Sequence, residues 1–78
     1  MNNRPVRQSL REMEAACDRF NERYKPGDTI TVYTGLYGEN PKRAEVRYPA
    51  EVMGGHTAVV YVTGGAHGSI ALSHVVGA

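Results

Sequence analysis

The hydrophobic spacing of this chain changes period once, at Lys25-Pro26-Gly27, and that change limits the fold more than any other feature. Before it, Val6, Leu10, Met13, Cys17, Phe20 and Tyr24 recur at steps of 4, 3, 4, 3 and 4, which stacks all six on one face of a helix. Arg7, Arg11, Glu14, Asp18, Arg19, Glu22 and Arg23 occupy the other faces, and no Gly or Pro interrupts residues 6–24. The spacing predicts a helix over 6–24, stopped by Pro26, which restricts Lys25, and by the turn-permitting Gly27. Fewer than three heptads is short for a coiled coil, so the stripe reads as one amphipathic helix lying across a sheet.

After Gly27 the period is two. Thr29-Ile30-Thr31-Val32-Tyr33 alternates, with Ile30 and Val32 on one side. Residues 35–43 read as a loop from their Gly, Asn and Pro content. Ala44 to Met53 alternates again, with Val46, Tyr48, Ala50 and Val52 on one side and Arg47 and Glu51 opposite. Pro49 makes that run an edge strand or a bend. Thr57 to Thr63 is a β-branched strand and Ser69 to Ser73 a shorter one, with turns at Gly54-Gly55 and at 64–68. One helix and then four or five short strands with tight glycine turns read as an α+β domain: an N-terminal helix on a small antiparallel barrel.

Composition sets the scale. Seventy-eight residues make one domain, 1–78, and a chain of that length buries only about 60–65% of its unfolded surface, so its core needs help. Cys17 is the only cysteine, which excludes an internal disulfide and four-cysteine zinc. A lone thiol without a signal peptide suits a reducing cytoplasm. Self-association is the remaining help, so a homo-oligomer is expected. Charge is unevenly placed: no Asp, Glu, Lys or Arg follows Glu51, and His56, His67 and His74 all lie beyond it. Glycines break that neutral stretch, so it is no membrane helix. The formal net charge of +1 gives only a modest basic excess, at the N-terminal end, which counts against a dedicated nucleic-acid binder.

The segment KPGDTITVYTGLYGENPKRAEV resembles the opening of KOW-type SH3-like barrels, with Gly27-Asp28, Ile30, Val32, Gly35, Gly38 and Val46 in the turn, strand and loop roles. VVYV, a Gly-rich turn, GSIAL and SHV are similar to the closing strands of such a barrel, so the resemblance spans residues 25–76. It implies an SH3-like barrel of four to five antiparallel strands over 27–76, with aromatics near the first loop forming a peptide-binding face. Where KOW modules carry a basic, Gly-rich loop, this chain has Glu39-Asn40-Pro41-Lys42-Arg43. The plasmid-type dihydrofolate reductase is a second small barrel of similar length. Its pore-lining Val-Gln-Ile-Tyr strand is absent here, and Ser69-Ile70-Ala71-Leu72 stands in its place.

The chemistry on offer is thin. No GxSxG elbow, GxGxxG or GxxxxGK[ST] loop occurs, and the histidines, with ten and six residues between them, lack short zinc-ligand spacing. Cys17 lies within the helix stripe and reads as a small buried hydrophobe. We expect no catalytic residue, no cofactor and no metal. Five of the six aromatics are Tyr, which suits contact surfaces. The expected binding residues are Tyr33, Tyr37, Lys42, Arg43, Arg47 and Tyr61, forming a face for an acidic or proline-rich protein segment. The resulting expectation is a small non-enzymatic protein-binding module, an adaptor or inhibitor of phage or plasmid type. The alternatives are a nucleic-acid-binding module in which Tyr33 or Tyr37 stacks on bases, and a minimal oligomeric enzyme with its site on a symmetry axis.

Overall fold

A computed structural model describes residues 9–35 and 39–77. One helix, α1 (Leu10–Arg23), precedes five strands: β1 (Thr29–Tyr33), β2 (Pro41–Val46), β3 (Glu51–Met53), β4 (Thr57–Gly64) and β5 (Gly68–Ala71). A 3-10 turn at Leu72–His74 follows. The architecture is α+β, a helix with a five-stranded antiparallel sheet.

α1 starts where Ser9 satisfies its open N-terminal donors. The Glu12 N–H donates to Ser9 Oγ and the Ser9 N–H to Glu12 Oε1, both at 3.1 Å, a reciprocal capping box. The expected helix over 6–24 is therefore trimmed at both ends. Val6 lies outside the described residues, and Tyr24 is the extended C-cap, since Pro26 follows. The two Ser9 hydrogen bonds, the backbone one first, hold the Glu12 carboxyl below its ordinary range. A depressed folded-state pKa contributes stability that is present above the unfolded value and lost as pH falls through the folded one. Between about pH 5 and about pH 3, the thermal midpoint should fall more steeply in the wild type than in Glu12→Gln, read by helical circular dichroism. Equal slopes would show that the cap does not titrate.

The pairing registers define the sheet. Val59 pairs with Glu51 on one side and Ala71 on the other, and Val62 likewise with Val46 and Gly68. β2 and β3 thus lie end to end along one edge of β4, with β5 along the other. From Val46 to Glu51 the chain takes five steps while β4 takes three, from Val62 to Val59, so two extra residues bulge out. The Arg47 N–H still donates to the Tyr61 carbonyl at 2.8 Å, which confines the bulge to 48–50, around Pro49. The Pro49 bend is there, and it splits the expected 44–53 run into two strands. Residues 41–43, expected in a loop, belong to β2 and pair with Tyr33, Val32 and Thr31. Pro41 is tolerated as a strand's first residue, where no ladder donor is required of it.

The sheet is not closed into a barrel, contrary to the sequence expectation. Among the described residues, the far edge of β1 meets Val75 and Val76 alone, through an isolated bridge between Val32 and Val75 and the Val76 N–H donating to the Thr31 carbonyl at 2.9 Å. The expected strand over 69–73 ends at Ala71 and tightens into the 3-10 turn, leaving too few extended residues for a ladder back to β1. The core lies between the sheet and α1. Met13, Cys17 and Phe20 pack against Ile30, Val32, Val46, Val60, Val62, Leu72 and Val75. Asn21 fastens the helix to the bulge, its Nδ2 donating to the Ala50 carbonyl at 3.1 Å and its Oδ1 accepting from the Ala50 N–H at 2.7 Å.

Candidate contact face

The bulge decides which aromatic rings reach solvent. Sequence alternation puts Tyr48 beside Val46 and Ala50, but the extra residues rotate it outward. Tyr48 is 53% exposed, while Val46 and Ala50 are buried. Its ring meets Tyr61 edge-to-face, with centroids 6.2 Å apart and planes at 77°, the arrangement favoured by the ring quadrupoles. The Arg47 guanidinium carbon lies 5.5 Å from the Tyr48 ring centre, and hydrogen bonding to Tyr48 pushes the Arg47 pKa up. The Tyr61 hydroxyl donates to Met53 Sδ at 3.8 Å, and Met53 is itself 42% exposed. Four adjoining side chains from β3, β4 and the bulge thus form a patch with a cation at its rim.

This patch contains two of the residues expected from sequence, Arg47 and Tyr61. Tyr33 pairs with Pro41 at the other end of β2, six residues from Arg47, which is roughly 20 Å along a strand. Lys42 and Arg43 lie near Tyr33, opposite Val32 and Thr31, and as strand neighbours point to opposite faces. Tyr37 lies outside the described residues. The five of the expected six that are described do not form one face. Glu45, exposed and two residues from both Arg43 and Arg47, interrupts the basic run between them. Tyr48 and Met53 were missed. Pro49 was the available signal for Tyr48, since a bend there can turn one residue out of the alternation while Val46, Ala50 and Val52 keep theirs.

Two concave surfaces lie elsewhere. A groove of about 380 Å³ follows the open seam, where Tyr33 and Gly35 face Ile70 and Ala71, with His67 and His74 also lining it. Ser73 Oγ and His74 Nδ1 are 3.1 Å apart as chain neighbours. His56 sits apart, exposed in the β3–β4 turn. A groove of about 600 Å³ between α1 and β3 is lined by Glu14, Asp18 and Glu51 beside Cys17. Burial pushes the Cys17 thiol pKa up, and the Asp18, Glu51 and Glu14 charges add to it. That thiol is protonated at neutral pH and suited to packing.

Among the described residues, no group of three or more His, Cys, Asp or Glu side chains is arranged to hold a metal ion. No described helix is long and apolar enough to cross a membrane. Compared with protein-family models, curated proteins and solved structures, the chain matches none.

Proposed function

We propose that this chain is a non-enzymatic protein-binding module of SH3-like descent whose contact face is Arg47, Tyr48, Met53 and Tyr61. The observation that carries the reading is the Tyr48–Tyr61 edge-to-face pair, an exposed ring from the bulge against a half-buried one from β4, flanked by Arg47 and Met53. Two rings at 77° offer large contact area from side chains with few rotatable bonds, which favours binding of an extended segment. Proline-rich segments dock onto such aromatic notches because their left-handed helix is already ordered. Arg47 at the rim would select a carboxylate beside the prolines. The SH3-like assignment is supported by the path β1, β2, β4, β5, a 3-10 turn, and the return of Val75 to β1. With Glu45 between Arg43 and Arg47, the surface suits a peptide better than a phosphate backbone, which needs a continuous basic track.

Panning a random dodecapeptide display library against the protein tests this. Enriched peptides should contain proline with an adjacent acidic residue and should shift the amide resonances of residues 47, 48, 53 and 61. Tyr48→Ala or Tyr61→Ala should weaken binding by about tenfold or more, as expected for a central aromatic anchor. Enrichment that survives both substitutions would overturn the proposal. So would binding of oligo-dT with a steep salt slope and no peptide enrichment.

A further inference from the structure

Among the described residues, β5 is an edge strand that carries none of the usual sequence devices against pairing. Among the described residues its only strand partner is β4, and its other edge opens onto the seam groove. Natural edge strands are usually blunted by Lys, Pro, a bulge or a covering element. Gly68-Ser69-Ile70-Ala71 has none of the first three, and no Asp, Glu, Lys or Arg occurs anywhere after Glu51. Gly68 and Ser69 are exposed, and Ile70 and Ala71 only half-buried. Burial in the fold accounts for Ala58, Val60, Val62, Leu72 and Val75 in the neutral third, but it leaves this strand open.

We infer that the β5 edge is a homodimer interface, in which two copies pair antiparallel about a two-fold axis to make one continuous sheet. The second copy is the occupant that fits. An antiparallel edge is self-complementary under a two-fold, because each strand offers the donors and acceptors the other lacks. An edge without charge neither repels its own copy nor attracts a charged partner. The seam groove beside it gives room for Ile70 and its symmetry mate to enclose apolar surface with Tyr33. A chain of 78 residues with a small core and no disulfide also stands to gain from that extra burial.

Analytical ultracentrifugation of the full chain across micromolar to millimolar concentration tests the assignment. The wild type should sediment at about twice its 8.5 kDa monomer mass. Ser69→Lys places like charges across the two-fold at an exposed site, so the fold should survive while dimerisation weakens at least tenfold. Thr57→Lys, an equally exposed addition on β4 away from the edge, should leave the dimer intact. In mixed labelled and unlabelled samples, isotope-filtered contacts should connect Ser69 and Ile70 of one copy with β5 of the other. A wild type that stays monomeric at millimolar concentration would overturn the inference. A dimer unchanged in a Ser69→Lys protein with wild-type circular dichroism would do the same. If Ser69→Lys fails to fold, filtered contacts from wild type alone decide the matter, and their absence from β5 in a dimer counts against it.

Discussion

Gly65→Ala is expected to be among the most damaging single-methyl changes in this chain. Gly65 lies in the turn between β4 and β5, where its N–H donates to the Arg43 carbonyl at 3.1 Å. A Cβ at this position would be driven into that carbonyl oxygen, with the Arg43 carbon at 3.3 Å and nitrogen at 3.5 Å behind it. Backbone meets backbone, so no side-chain rotation relieves the overlap. The turn must lift away from β2, which strains the adjoining Ala44–Gly64 pair. The expected cost is about 3 kcal/mol or more, and for a domain of this size the melting temperature falls by roughly 10–20 °C. Gly55→Ala is the control. Its Cβ would meet nothing within 4 Å, so only its positive φ of 72° is strained, at about 1–2 kcal/mol. Equal losses from the two substitutions in denaturant titrations would refute the close-approach argument.

Asn21→Ala is expected to have the second large effect, by unfastening the helix from the bulge. The half-buried Asn21 amide satisfies both backbone groups of Ala50, which is buried and lies in a bulge with two residues more than β4 opposite. Truncation leaves an N–H and a C=O without those partners, and each such loss costs about 1–3 kcal/mol. With water reaching one of them, a loss of about 1–3 kcal/mol is expected. The specific readout is hydrogen exchange at Ala50, which should accelerate more than exchange in β1. Asn21→Asp keeps the acceptor and loses the donor, so it should fall between the wild type and Asn21→Ala. A uniform loss of protection across the sheet would mean that Asn21 contributes general helix stability and does not hold the bulge.

The bulge also explains how much of this molecule was legible beforehand. Periodicity identified α1 because its spacing is local, and Pro26 marked its end, but the expected start at Val6 missed the Ser9 cap from which the helix begins at Leu10. β1 and β4 were equally readable, since alternation of Ile30 with Val32, and the β-branched run at 57–63, need no distant partner to be recognised. Pro41-Lys42-Arg43 was misread because Pro and charge resemble a loop until β1 is seen to pair with it. The proposed contact face was half legible. Arg47 and Tyr61 were expected, whereas Tyr48 was placed inward by an alternation that two extra residues had reset.

Local sequence alone specifies the elements: an amphipathic helix, a change of period at Lys25-Pro26-Gly27, short β-branched strands, and a neutral final third. These follow from local spacing, local turn chemistry and the placement of charge. Only the tertiary structure decided that the sheet stays open along β5, that β2 and β3 share one edge of β4, and that Tyr48 joins Tyr61 at the surface. Each of those depends on register between segments far apart in the chain. A register shifted by one residue changes which face a side chain occupies, and little in the local pattern records it.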